Sequence, residues 1–197
     1  MISDLGSAAT RHDPRRWTRT LRYRDRTALP FDASRIPLQA PLLLDATVYV
    51  DALKGKLPAE VRALLAGRQV LHGAPALAEL ALAIGRLDPH DPRTAAAIGP
   101  IQETLARVPP VRTAVPGAAC WIEAAVLAGT LARTQGIPRA DRRKLQNDAL
   151  LFLMAEETRA VLVSRNLRDL DLLLQMKPEV QVLLYDFEAS GSPERRP

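Results

Sequence analysis

The sequence has few of the residues that other protein classes depend on, and each shortage excludes something. It carries one cysteine in 197 residues, Cys120, so it forms no internal disulfide and cannot build a cysteine-based metal site. That suits a soluble protein of a reducing compartment, and a cytoplasmic location is the expectation. Aromatic residues make up only 4%, which argues against a ring-stacking platform for single-stranded nucleic acid. No apolar run approaches the roughly 18 residues of a membrane span. Arginine interrupts the opening stretch, about 30 residues, where a secretory signal would place its apolar segment. The three histidines, His12, His72 and His90, share no ligand spacing. No G-x-G-x-x-G turn, Walker loop or G-x-S-x-G elbow occurs, which disfavours nucleotide cofactors and serine-hydrolase chemistry.

Lysine is scarce as well: 4 against 23 arginines, within a net charge of +5. The excess is uneven. Residues 1–40 hold eight Arg and four Asp, whereas residues 41–197 hold 19 basic and 18 acidic residues. Arg11, Arg15, Arg16, Arg19, Arg22, Arg24 and Arg26 fall within 16 residues. This Arg-rich N-terminal extension suits phosphate contacts, or packing on its own domain or on a partner subunit. Its first 37 residues show no sustained apolar period and read as irregular.

Hydrophobic residues reach 47%, enough to bury a core. Organisation starts at Pro41, and a domain is expected over residues 41–187, followed by a mobile tail over 188–197. Residues 42–44 form an apolar run ending in Asp45, as a buried parallel strand does. Pro58 and Gly67 bracket a helix, residues 69–71 read as a strand, and Pro75 starts a helix towards Arg86. Further helices are expected over 101–108, 118–135, 141–157 and 167–176, with strands over 160–163 and 180–185. Short apolar strands alternating with amphipathic helices imply a parallel sheet flanked by helices. Ligand sites in such folds lie beyond the carboxyl ends of the strands.

Four segments place polar residues there. Asp45 closes the first strand in LLLDATVYVD, Glu79 lies in PALAELALAIGRL, and Asp148 precedes an apolar run in QNDALLFLMAEE. Asn166 and Asp169 follow a strand in AVLVSRNLRDLD. Each is embedded in apolar sequence, where an unpaired carboxylate is costly and calls for a cation. An all-oxygen donor set without a matching run of His or Cys implies a hard divalent ion, Mg²⁺ or Mn²⁺. Singly, each residue has an ordinary explanation: a helix cap for Asp45, a surface position for Glu79, a helix-start charge for Asp169. Arg165 and Arg168 flank Asn166 and suit either phosphate contacts or a solvated helix start. Glu123, in CWIEAAVLAG, suits an acidic pocket or, better, a pair with an arginine. Cys120 and Trp121 read as core, His72 as a packed or hydrogen-bonded residue, and Asp51 as a support to the site or a solvated charge.

Taken in order, LLLDATVYVD, ALAEL, NDALLFLMAEE and AVLVSRNLRDLD resemble the PIN domain, and within it the small prokaryotic ribonucleases of the VapC toxin type. The resemblance spans residues 41–187. It implies a three-layer α/β/α fold with a central parallel sheet and a metal-dependent phosphodiesterase site. By position, Asp45, Glu79 and Asp148 match the family's first three acids and would hold the metal. Asn166 matches the fourth, often Asp, and Asp169 the acid of an N-x-x-D-F ending. Thr47 and Ser164 match hydroxyls that order the site. The chain departs from the pattern in three ways. An amide at Asn166 leaves one charge fewer for a second metal, Leu170 stands where Phe is usual, and Ala74 and Ala76 replace hydroxyl residues.

The resemblance implies a metal-dependent endoribonuclease acting on RNA, the toxin of a toxin–antitoxin pair, as a homodimer with a small antitoxin and no membrane. A non-catalytic RNA-binding scaffold on a degenerate PIN fold, or a PIN nuclease of housekeeping RNA processing, is the alternative.

Overall fold

The computed structural model describes residues 5–187; the expected mobile tail, 188–197, lies outside the described residues. Five short strands form one all-parallel sheet in the order β3-β2-β1-β4-β5. The strands are β1 (Leu42–Leu44), β2 (Val70–Gly73), β3 (Thr113–Ala114), β4 (Val161–Ser164) and β5 (Val182–Leu184). Strand β1 sits at the centre, with Leu42 in register with Val70 on one side and Val161 on the other. All three of its leucines are buried, as expected of a strand covered on both faces. The chain runs outwards from β1 to β2 and β3 in one direction and to β4 and β5 in the other. Strand order therefore reverses between β1 and β4, where an open parallel sheet forms its ligand crevice.

The helices are α1 (Leu5–Thr10), α2 (Ala46–Leu53), α3 (Ala59–Ala66), α4 (Ala74–Arg86), α5 (Thr94–Ala106), α6 (Ala118–Thr134), α7 (Arg142–Glu157) and α8 (Leu167–Met176). Helix α7 lies deepest. Every residue from Asp148 to Ala155 is buried, so that stretch is enclosed on all sides. Helix α6 packs along it, burying Leu127 and Leu131 fully. Gly136, at φ +63°, takes the left-handed conformation that ends α6. Gly73 lets α7 approach the sheet, since a Cβ there would meet Leu151 Cδ2 at 2.6 Å.

Three expectations about elements change. The helix expected over 101–108 begins at Thr94 and carries Pro100 inside it, where the missing N–H costs the helix one i→i−4 hydrogen bond; the helix runs through the proline expected to bound it. Strand β3 has only two residues, too few to show an alternation. The N-terminal stretch is not irregular. Asp13, Asp25 and Asp32 each accept a backbone N–H two residues on, from Arg15, Thr27 and Ser34, and so start three single 3₁₀ turns.

This arm lies on its own domain. Helix α1 packs on α6 with Ala8 fully buried. Arg11 and His12 reach Glu123, Arg24 reaches Asp171, and Arg26 pairs with Asp186. Leu184 of β5 donates its N–H to Pro30 O at 2.8 Å, so the arm occupies part of that edge of the sheet. Glu123 is thus paired with an arginine and buried, and His72 is hydrogen-bonded to Tyr49 at 2.7 Å. Cys120 is core, but Trp121 is 45% exposed and lines a surface cavity with Pro75 and Leu82 of α4 and Gln146 of α7.

Candidate active site

The first residue past β1 is Asp45, whose N–H still bonds Val163 O of β4 at 3.1 Å. Its carboxylate is buried and firmly held. Oδ1 accepts the Ala46 N–H at 2.7 Å, the cap of α2, while Oδ2 accepts Thr47 Oγ1 at 2.7 Å and Ser164 Oγ at 2.6 Å. Both hydroxyls are themselves anchored, since Thr47 accepts the Arg165 N–H at 3.1 Å and Ser164 accepts the Asn166 N–H at 2.9 Å. Backbone amides at the β4–α8 turn therefore fix the rotors that fix Asp45. The helix-cap explanation of Asp45 and the site explanation hold together.

Asp148 enters from α7, 5% exposed. Burial first, then the negative charges of Asp45 and Asp169, push its pKa well above the usual carboxylate range, against the pull of Lys144. Glu79, on α4, is half-buried, and burial and then Asp45 raise its pKa too. Among the described residues Glu79 accepts no hydrogen bond. Asp169, in the first turn of α8, behaves oppositely: burial opposes ionisation, but hydrogen bonds from Lys144 and Asn166 bring its pKa below the usual range.

Asn166 Nδ2 donates to Asp148 Oδ2 and to Asp169 Oδ2, both at 2.9 Å. Lys144 Nζ approaches the same two atoms, at 3.4 Å and 2.5 Å. Six of the residues named from sequence, Asp45, Asp148, Asn166, Asp169, Thr47 and Ser164, thus join one hydrogen-bonded neighbourhood, and Glu79 joins it electrostatically. Lys144 was missed. Its signal was its spacing, one helical turn before Asp148 and on the same face.

Arg165 and Arg168 differ. Arg165 makes a two-point pair with buried Asp51, Nε to Oδ2 at 2.6 Å and Nη2 to Oδ1 at 3.1 Å, and its guanidinium lies 4.8 Å from the Phe187 ring centre. Asp51 also accepts Tyr185 Oη at 2.8 Å, so it is a buried support to this turn and not a solvated charge. Arg168 is exposed, with its guanidinium 5.2 Å from the Tyr23 ring centre. A groove of 280 Å³ runs past Thr47, Glu79, Arg86 and Arg165.

The donor set is all oxygen: carboxylates and hydroxyls without thiolate or imidazole. In chemistry it fits a hard divalent cation. In arrangement, among the described residues no three His, Cys, Asp or Glu side chains are gathered closely enough to form a ready cage. The Lys144 ammonium lies between Asp148 and Asp169 and opposes their mutual repulsion only in part, since the Asp148 pKa remains raised.

No family model matches the chain, and no curated protein matches its sequence. Solved structures do match in fold. VapBC2 from Rickettsia felis, bound to a DNA fragment from its promoter, aligns at 17% identity over 74% of this chain and 99% of that one, with a TM-score of 0.50. FitAcB from Neisseria gonorrhoeae aligns at 17% identity over 72% and 96%, also at 0.50. FitAB bound to a DNA fragment aligns at 17% over 73% and 94%, again at 0.50. These similarities concern architecture alone. The chain has the three-layer α/β/α PIN-like fold, as the resemblance of its four acidic segments to the VapC type implies.

Proposed function

We propose that the chain is a divalent-metal-dependent endoribonuclease that hydrolyses RNA phosphodiester bonds. The observation that supports this most is Asp148. A carboxylate buried at 5% exposure, with Asp45 and Asp169 adding negative charge around it, is an arrangement that binding of a cation would relieve. Asp45, Glu79 and Asp148 would hold Mg²⁺ or Mn²⁺. Such an ion, when bound, supplies charge opposite the scissile phosphate and lowers the pKa of water at the site.

The chain's own groups do the rest. Ala46 N–H, Thr47 and Ser164 hold the Asp45 carboxylate in one orientation, so little reorganisation remains when charge builds up. The Asn166 amide holds Asp148 and Asp169 in place by bonding both. Arg168, exposed at the start of α8, is placed to meet a phosphate of the RNA. Arg165 shapes the turn through Asp51 and leaves part of its guanidinium to the groove beside Glu79.

By analogy with the VapBC and FitAB structures that share the fold, two of them bound to DNA fragments, the partner is a small antitoxin, with the chain acting as a homodimeric toxin. Among the described residues no helix is long and apolar enough to cross a membrane. A second reading, an RNA-binding scaffold on the same fold, is favoured by the lysine and the amide that occupy Asp148 Oδ2 and Asp169 Oδ2. Total RNA incubated with wild type or Asp148→Asn, in Mn²⁺ or EDTA, decides between the two. Cleavage by wild type that is lost in EDTA and falls at least about 100-fold in the variant supports the nuclease. RNA binding without cleavage by either supports the scaffold. Equal cleavage by both puts the site elsewhere.

A further inference from the structure

The acidic site has two ends. At one, Asp45 is held by a backbone amide and two hydroxyls, Glu79 accepts no hydrogen bond among the described residues, and no amine, amide or hydroxyl among them donates to Asp148 Oδ1. At the other, Asp148 Oδ2 and Asp169 Oδ2 each receive two nitrogen donors, Lys144 Nζ and Asn166 Nδ2. One face of the cluster is open to a cation and the other already holds one.

Lys144 reaches this position for local reasons. It precedes Asp148 by four residues on α7, so both side chains leave the helix on the same face, and the first turn of α8 brings Asp169 across to meet them. Its stem is half-exposed, at 52%, so the ammonium reaches in from the rim. Its ammonium lies 3.4 Å from Asp148 Oδ2 and 2.5 Å from Asp169 Oδ2, between the two carboxylates. Asn166 acts in the same sense. With its amide nitrogen turned towards the two carboxylates, it supplies donors where a carboxylate would supply ligands.

We propose that Lys144 is the site's built-in second cation: the chain takes one divalent ion, at Asp45, Glu79 and Asp148, while Lys144 with Asn166 fills the place of a second ion against Asp148 and Asp169. The inference rests on the metal-dependent reading above and deepens it by setting the ion count. A fixed ammonium and a mobile divalent ion compete for Asp148, so the lysine also weakens the first ion's binding. Removing one positive charge at this distance tightens that ion by about tenfold or more.

The test is Mn²⁺ binding to the full chain, by calorimetry and by electron paramagnetic resonance of free Mn²⁺, with no RNA present. Four proteins are compared: wild type, Lys144→Met, Asn166→Asp and the double variant. Methionine keeps an unbranched stem and a good helix propensity. Thermal melts confirm that each protein is folded. One ion in wild type, about tenfold tighter binding in Lys144→Met and two ions in the double variant is the expected result. Two ions in wild type, or one ion of unchanged affinity in both Lys144→Met and the double variant, overturns the role of Lys144 and leaves the nuclease reading standing. No Mn²⁺ bound by any of the four removes the metal reading itself, and this inference with it.

Discussion

Replacing Glu123 by Gln removes the charge from a carboxylate that three basic side chains surround. Arg11 Nη1 donates to Oε2 at 2.6 Å, His12 Nε2 lies 2.8 Å from Oε1, and Lys177 Nζ lies 3.4 Å from Oε1. The glutamate itself is only 3% exposed. Burial pushes its pKa up, but the hydrogen bonds from His12 and Arg11 and the charge of Lys177 overcome that and hold it at about 2, from an ordinary 4.5. Because the folded pKa is the lower one, the folded state releases the proton more readily than the unfolded chain. The stabilisation is complete above the unfolded value and is lost as pH falls from there through about 2. Its size is about 3 kcal/mol. Glu123→Gln should lower stability at pH 7 by about that amount, a fall in Tm of about 6–12 °C for a chain of this length. Urea unfolding of both proteins between pH 7 and pH 3 tests the origin: the gap should narrow steadily once pH drops below the unfolded value. Because two of the three partners belong to the arm, trypsin should also cut the variant faster between residues 11 and 40. A gap that stays constant down to pH 3, or one under about 0.5 kcal/mol at pH 7, would refute the reasoning and reduce the network to a surface pair.

Two other substitutions separate stability from chemistry. Arg165→Met leaves Asp51, 1% exposed, with Tyr185 as its remaining partner, and should cost about 2–3 kcal/mol in urea unfolding; an arginine serving RNA alone would leave stability unchanged. Asp148→Asn in EDTA should raise Tm at pH 7. The folded pKa of Asp148 is raised, so stability is lost as pH rises from the unfolded carboxylate value towards the folded one; the variant's advantage grows over that interval and fades in acid, below the unfolded value. A lower Tm at pH 7 would show that the Lys144 and Asn166 contacts outweigh the repulsion.

Much of the fold was legible because it rests on local signals. The apolar run before Asp45, the prolines that open helices and Gly136 that closes one are short-range physics, and strands β1 and β4 and helices α6, α7 and α8 follow from them to within a few residues. The arm was misread for a reason equally local: three Asp residues, each two positions before the N–H it caps, make turns without any apolar period to reveal them. Strand β3 was missed because two residues carry no periodicity.

The site divides along a different line. The sequence alone determined which residue types stand at the strand ends and helix starts, and hence that carboxylates, an amide and hydroxyls meet beyond β1 and β4. Only the tertiary structure decided their partners. Nothing in the spacing of Lys144 and Asp169, 25 residues apart, says that the ammonium bridges Asp169 to Asp148, or that Arg165 turns from the groove to Asp51. Backbone periodicity is set by residues a turn apart. The pairing of charges is set by which helix ends the sheet brings within about 3 Å, where burial makes every unpaired charge costly enough to choose a partner.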